Sequence, residues 1–123
     1  MNLFEFGNFR LHSGAPSAWK VECDTLTLED WRTLAFLTAR KLKFRTVEGV
    51  PYGGLAFAEA LQLYAEPQSD YLPQLIVDDV LTTGLSMETQ RAGRDRVIGV
   101  VVFAREACPG WIYPIWQLSP LFF

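Results

Sequence analysis

The sequence predicts an α/β fold in which a mostly parallel central sheet is flanked by helices. Residues 75–80 and 96–103 are apolar runs with the length and β-branched content of buried strands, and residues 44–50 form a shorter candidate strand. Segments with helical spacing alternate with these strands, as in βαβ units. With 123 residues, the chain is long enough for one domain, residues 1–123, with a core of its own.

Helix signals precede and follow the central strand at residues 75–80. Thr27 is a candidate N-cap with acidic residues in the first turn, and apolar residues then recur at helical spacing to about residue 43. Residues 54–63 predict a second helix, and a third continues from about residue 87. Residues 111–118 are a candidate last strand, in which Pro114 marks an edge or a bulge.

The most informative segment is residues 75–86, LIVDDVLTTGLS. Its apolar strand is expected to leave the sheet at Asp78 and Asp79, and a hydroxyl-rich loop with one glycine leads into the third helix. Amides at such a helix start bind a phosphate dianion, whereas the two carboxylates accept hydrogen bonds from sugar hydroxyls or hold a divalent cation. The segment therefore predicts a ribose 5-phosphate site. The alternative is a solvated Asp-Asp turn, but the TTGLS continuation favours the phosphate site.

This segment resembles the phosphoribosyl-diphosphate (PRPP) motif of the type I phosphoribosyltransferase family. Residues 47–55, VEGVPYGGL, resemble the strand and pyrophosphate loop of that family. Residues 9–17, FRLHSGAPS, are similar to the F-x-L-x-S-G-x-x-S stretch near the start of orotate phosphoribosyltransferases. The three motifs occur in the family's order and span nearly the whole chain. The resemblance implies a type I phosphoribosyltransferase-like sheet with a small N-terminal hood segment.

The resemblance also implies roles for particular residues. Asp78 and Asp79 would be the catalytic pair, holding the ribose hydroxyls directly or through Mg²⁺. The loop that binds the 5-phosphate would consist of Leu81, Thr82, Thr83, Gly84, Leu85 and Ser86. The pyrophosphate would be bound by Pro51, Tyr52, Gly53 and Gly54, with a cis peptide bond that does not involve a proline nitrogen. Candidate contacts to the base or the pyrophosphate are His12, Trp19 and Lys20.

Simpler interpretations stay open for several of these residues. The VPYGG segment is also a plain turn by composition, because proline and paired glycines are strong turn formers. A lone histidine such as His12 is more often an ordinary surface or core residue, and Trp19 is at least as well explained by packing in the hood.

Three departures from the family pattern each remove positive charge. Gly53 stands where orotate enzymes usually have lysine or arginine, and His12 stands where they usually have lysine. The long mobile loop with its lysine and histidine is missing, because only about twenty residues separate Leu55 from Leu75. From residue 46 to residue 90 there is no lysine, arginine or histidine. Cations could still come from a neighbouring subunit or from other parts of this chain. The candidates in this chain are Arg10, His12, Lys20, Lys43 and Arg45.

Composition limits the partners. The net charge of −3 argues against a nucleic-acid-binding surface. Cys23 and Cys108 are expected to be reduced thiols, and the single histidine makes a zinc site improbable. No apolar stretch is long enough to span a bilayer, and the N-terminal residues lack the basic region of a secretory signal. We therefore expect a cytoplasmic protein that does not bind membranes. The apolar residues 112–123 are either a tail packed on the core or a subunit contact, and the family resemblance implies a homodimer.

Two functions therefore follow from the sequence. The first is transfer of a phosphoribosyl group from PRPP, with Mg²⁺, to orotate or a related pyrimidine. The second is a non-catalytic PRPP- or nucleotide-binding module that has lost the mobile catalytic loop. The intact acidic pair and phosphate loop favour the first, and the missing cations favour the second. A structural protein with no nucleotide ligand would require every motif to be coincidental.

Overall fold

The computed structural model describes residues Met1–Leu118, so the last part of the apolar segment 112–123, residues 119–123, lies outside them. A parallel sheet of four strands forms the centre, in the order β3 (Thr46–Gly49), β4 (Gln74–Leu81), β5 (Val97–Ala104) and β6 (Ile112–Gln117). An antiparallel hairpin, β1 (Phe4–Arg10) and β2 (Pro16–Val21), precedes it. The helices are α1 (Leu28–Lys41), α2 (Leu55–Leu61) and α3 (Leu85–Arg91), with single 3₁₀ turns at Cys23–Thr25 and Gln62–Tyr64. The α/β fold with a parallel sheet and flanking helices is confirmed.

Local capping begins α1 where the sequence predicts. The Thr27 hydroxyl accepts a hydrogen bond from the Asp30 amide at 3.1 Å, and the Asp30 carboxylate accepts one from the Thr27 amide at 2.8 Å. This reciprocal pair satisfies two amides that the helix itself leaves unpaired. The helix ends at Lys41, slightly earlier than the predicted residue 43, because Leu42 adopts an extended conformation.

The central strand β4 is buried on both faces. Leu75 and Val77 pack in the core beneath α1 and α2, whereas Ile76 packs with Met87 of α3 on the opposite face. Successive side chains of a strand point to opposite sides, so a strand covered on both faces reads as a continuous apolar run. This explains why the segment LIV was recognisable as a strand from the sequence.

The acidic pair lies inside β4, so the prediction that the chain leaves the sheet at Asp78 is wrong. Asp78 is in register with Val101 of β5, and pairing continues as far as Leu81 opposite Ala104. The physical reason is the length of β5, which offers an apolar partner strand of 8 residues alongside all of β4.

Other predicted boundaries move by a few residues. The strand predicted at 44–50 is shorter, Thr46–Gly49, and the helix predicted at 54–63 is α2 followed by the 3₁₀ turn. The last strand is confirmed as β6 at one edge of the sheet. Pro114 lies within it, opposite Val101, and a proline on an edge strand has no N–H to offer a further strand.

The sequence did not identify the strands of the hood hairpin, which we define as β1 and β2. Its register shifts between Phe6 and Phe9, which interrupts the period-2 pattern of a regular strand. Phe4 anchors the hairpin on the sheet through an edge-to-face contact with Phe103 of β5, with ring centroids 5.6 Å apart. Within the described residues no helix is long and apolar enough to cross a bilayer.

The packing predicts a large difference between two phenylalanines. Phe57 of α2 is fully buried and its ring centroid lies 5.7 Å from that of Trp31 in α1. Phe57→Ala is expected to lower the free energy of unfolding by about 3–5 kcal/mol through lost burial and a residual cavity. Phe36→Ala is the matched control, because Phe36 is 47% exposed and its loss is expected to cost about 1 kcal/mol or less. Urea unfolding measures both, and equal effects would contradict the assigned core.

Candidate functional site

A glycine loop lies flat against β4 at the carboxyl ends of the strands. The Val50 amide donates to the Val77 carbonyl at 2.9 Å, and the Gly54 amide donates to the Val50 carbonyl at 2.8 Å. A Cβ added to Gly54 would contact the Val77 carbonyl and would lie 2.8 Å from the Val50 nitrogen. Only glycine therefore allows this approach of two backbones.

The same loop brings Gly53 against the acidic pair. A Cβ added to Gly53 would lie 2.6 Å from the carboxylate carbon of Asp79. The peptide bond between Pro51 and Tyr52 is cis, as the family resemblance implies, and Tyr52 is exposed. The residues assigned to the pyrophosphate and those assigned to the ribose hydroxyls thus lie side by side.

The two carboxylates have different environments. Asp78 is 8% exposed and its Oδ1 accepts a hydrogen bond from the Asp79 amide at 2.8 Å. The Oδ1 of Asp79 accepts one from the Val80 amide at 2.7 Å, and this side chain is only half-buried. Burial, together with the neighbouring negative charge of Asp79, raises the pKa of Asp78 to about 8. A cation at this pair would favour the ionised form and would displace the proton from Asp78.

The hydroxyl-rich loop follows directly from β4 into α3. Gly84 adopts a left-handed conformation with φ of 84°, which glycine accommodates without steric cost. The Thr83 hydroxyl accepts a hydrogen bond from the Leu85 amide at 3.2 Å, and the side chains of Thr83 and Ser86 are exposed. Leu81 and Met87 are buried on either side of the loop and hold both of its ends.

The candidates from the N-terminal motif do not all reach this site. His12 is exposed in the turn of the hood hairpin and makes no hydrogen bond or ion pair within Met1–Leu118. Lys20 lies 3.4 Å from a Glu22 carboxylate oxygen and 3.9 Å from one of Glu5, so two carboxylates already balance its charge. Trp19 is half-buried on β2 and faces a different cation.

That cation is Arg105, which the sequence reasoning missed. Its backbone amide donates to the Leu81 carbonyl at 2.8 Å, which places it beside the start of the hydroxyl-rich loop. Its guanidinium carbon lies 3.5 Å from the centroid of the Trp19 ring, a cation–π contact. Burial lowers the pKa of Arg105 from its ordinary value. The sequence did place Arg105 directly after a predicted strand, at the edge of the sheet where ligands of α/β proteins bind, and this could have identified it as a candidate.

A buried cysteine follows the hood hairpin. Cys23 is buried, and that burial raises the pKa of its thiol far above the ordinary value. The negative charges of Asp79 and Glu22 raise this pKa further. The thiol is consequently an unreactive packing group.

The chain is similar in sequence to a curated relative. The orotate phosphoribosyltransferase of Pyrobaculum calidifontis is 30% identical over 135 residues, an alignment that covers 85% of this chain and 70% of that protein. The chain belongs to the orotate phosphoribosyltransferase family. No family model matches it.

Solved structures agree with this assignment at the level of the fold. The crystal structure of orotate phosphoribosyltransferase from Aeropyrum pernix matches with a TM-score of 0.67 and 22% identity, covering 94% of this chain and 89% of that one. The Mycobacterium tuberculosis H37Rv enzyme, solved in complex with Fe(III) dicitrate, matches with a TM-score of 0.63 and 17% identity over 94% and 89% of the two chains. The Francisella tularensis enzyme matches with a TM-score of 0.57 and 16% identity over 94% and 80%.

The connection from α2 to β4 is short in this chain, whereas the family pattern has a long mobile loop at this position. After the 3₁₀ turn, the Glu66 amide donates to the Phe44 carbonyl at 3.0 Å, and the Ser69 and Leu72 amides close two tight turns at 3.0 Å each. The connection is folded back against the start of β3 and carries no cation.

The raised pKa of Asp78 predicts a dependence of stability on pH. The folded protein retains a proton on Asp78 up to about pH 8, whereas the unfolded chain loses it near the ordinary value of 3.8. Stability is therefore expected to fall as pH rises through this window, with a slope of at most about 1.4 kcal/mol per pH unit. Asp78→Asn removes this dependence, so the variant is expected to be more stable than the wild type at the alkaline end.

Urea unfolding at intervals across the window measures this effect. Asp95→Asn is the control, because Asp95 is exposed and the variant is expected to keep the wild-type dependence. Parallel curves for D78N and the wild type would show that Asp78 titrates normally.

Proposed function

We propose that this chain binds PRPP together with Mg²⁺ at the carboxyl edge of the sheet and transfers the phosphoribosyl group to orotate or a related pyrimidine. The observation that carries the proposal is the contact of Gly53 with the Asp79 carboxylate. It puts the backbone of the glycine loop next to a carboxylate, and such groups are suited to a diphosphate and to ribose hydroxyls respectively. Membership of the orotate phosphoribosyltransferase family supports this assignment.

The acidic pair suits Mg²⁺ as a ligand set. Mg²⁺ prefers oxygen ligands and is usually held by one or two carboxylates together with substrate phosphates and water. Asp78 and Asp79 supply two carboxylates, and no group of three or more potential metal-binding side chains occurs within Met1–Leu118. We therefore expect the ion to bind with PRPP and to take its other ligands from the substrate and water. When bound, it would neutralise charge on the leaving diphosphate.

The proposed reaction is a displacement at C1 of the ribose. A ring nitrogen of the base forms the new bond to C1 while the bond from C1 to the diphosphate oxygen breaks, and pyrophosphate leaves with that electron pair. The proton of that nitrogen passes to solvent. The loop from Thr82 to Ser86 would hold the 5-phosphate, and the amides of the Gly53–Gly54 loop would receive the diphosphate. Ionised Asp78 and Asp79 would stabilise the positive charge that develops on the ribose.

Arg105 and Trp19 are the residues we assign to the base. Orotate carries a carboxylate, so its site needs a cation as well as a flat apolar surface. The backbone amide of Arg105 is bound to Leu81, at the start of the proposed phosphate loop, and its guanidinium lies on the Trp19 indole. A guanidinium donates charge-assisted hydrogen bonds to carboxylates, and an indole packs against planar rings.

The second candidate is a PRPP- or nucleotide-binding module without turnover. The observation that favours it is the lack of cationic residues in the segment that contains the pyrophosphate loop. Lys20 is balanced by Glu5 and Glu22, and no lysine, arginine or histidine occurs between residues 46 and 90. A catalytic chain would then need charge from Mg²⁺ or from the partner in a homodimer. Tyr113 and Trp116 on the edge strand are about half exposed and offer apolar surface for such a contact.

Pyrophosphate release from PRPP and Mg²⁺ separates the two candidates. We expect release with orotate and little with uracil or the common purines, because only orotate has the carboxylate that suits Arg105. Isothermal titration of PRPP with Mg²⁺ is run in parallel. Binding of PRPP without pyrophosphate release for any base would establish the non-catalytic module. If the protein shows no binding and no release, both candidate functions are refuted.

The contact between Gly53 and Asp79 predicts a local effect of a single methyl group. Gly53→Ala forces the Asp79 carboxylate to turn away, so PRPP affinity in the presence of Mg²⁺ is expected to fall about tenfold or more. Gly110→Ala is the matched control, since a Cβ there meets no atom within 4 Å and should leave binding unchanged. Unaltered affinity of G53A would show that this carboxylate does not contact the ligand.

A further inference from the structure

Ser17, the last residue of the N-terminal motif, lies at a junction of hydrogen bonds in the hood hairpin. Its hydroxyl donates to the Trp19 carbonyl at 2.6 Å and accepts from the Trp19 amide at 3.2 Å. It also accepts from Nη2 of Arg105 at 2.8 Å. A hydroxyl has one donor and two acceptor positions, so these three bonds use its full capacity. The side chain is half-buried, which limits competition from water.

Arg105 is consequently fixed at both ends. Its backbone amide is bound to Leu81 at 2.8 Å, next to the phosphate loop. Its Nη1 and Nη2 each donate to the Trp19 carbonyl at 3.2 Å, in addition to the bond with Ser17. These three bonds use three of the five guanidinium N–H donors and leave two for a ligand.

A long side chain held in this way is preorganised for binding. A free arginine samples many rotamers, and ordering it when a ligand arrives reduces affinity. Trp19 restrains the face of the guanidinium, and within Met1–Leu118 the Ser17 hydroxyl is the one side-chain group to which the guanidinium donates a hydrogen bond. Loss of that hydroxyl would remove one of the three bonds to the guanidinium and also the Ser17 bond to the Trp19 carbonyl, so the two remaining bonds would hold Arg105 less firmly.

We propose that Ser17 is a positioning residue that holds the guanidinium of Arg105 against Trp19 and thereby determines the preference for a base with an anionic group. This inference rests on the proposed function, in which Arg105 contacts the carboxylate of the base. Ser17 touches neither the reacting atoms nor the base, and it acts through Arg105.

Two nucleotides that differ in one carboxylate test this assignment. Orotidine 5′-monophosphate is uridine 5′-monophosphate with a carboxylate on the base, so the ratio of their dissociation constants isolates the carboxylate contact. The wild-type protein is expected to prefer the carboxylated nucleotide about tenfold or more. Arg105→Gln is expected to bring the ratio near one.

The Ser17 variants then distinguish positioning from folding. Ser17→Ala is expected to reduce the preference several-fold while the affinity for uridine 5′-monophosphate stays unchanged. Ser17→Thr keeps the hydroxyl and is expected to restore the preference. Ser13→Ala is the matched control, because Ser13 is exposed and its hydroxyl accepts only from the Ala15 amide at 3.4 Å. If S17A does not fold, as judged by circular dichroism, Ser17→Cys, a much weaker acceptor, replaces it.

The outcomes separate the inference from the function on which it rests. Full preference in S17A together with its loss in R105Q would overturn the role of Ser17 and leave the assignment of Arg105 intact. No preference in the wild type would overturn both residue roles while nucleotide binding stands. Failure of the wild-type protein to bind either nucleotide would refute the proposed function itself.

Discussion

The site depends on the close approach of a glycine loop to the central strand. Gly54 packs so tightly on β4 that an added Cβ would contact the Val77 carbonyl, and Gly53 packs against the Asp79 carboxylate. Without side chains at these two positions, backbone amides and carboxylates share one edge of the sheet. The strand supports this contact because it is buried on both faces, so it cannot shift to accommodate a larger residue.

Negative charge is the main energetic constraint of this edge. Asp78 is nearly buried beside Asp79, and its pKa is raised to about 8 because an ionised form would be both desolvated and repelled. A bound cation would relieve this cost because it would favour the ionised form of Asp78. This charge cost is what links the raised pKa to the metal-bound ligand that we propose.

The hood hairpin holds in place a cation that the sheet supplies, Arg105 directly after β5. It is joined to β5 through Phe4 on Phe103 and, at the end of the strand, through Trp19 on Arg105. Lys20, the cation expected from the N-terminal motif, is balanced by two carboxylates within the hairpin and its flank. Recognition of the base is thus expected to involve the arginine after β5 rather than the lysine of the hood.

The sequence by itself determined the features that depend on neighbouring residues. The cap at Thr27, the apolar run before the acidic pair and the glycine of the phosphate loop are all local patterns, and each formed within a few residues of its predicted position. Tertiary structure alone decided the burial of Asp78 and the pairing of Arg105 with the hood hairpin. Ser17 and Arg105 are 88 positions apart, and their contact depends on how the hairpin packs on β5. No local periodicity encodes a contact of that range, because it arises from the packing of whole elements.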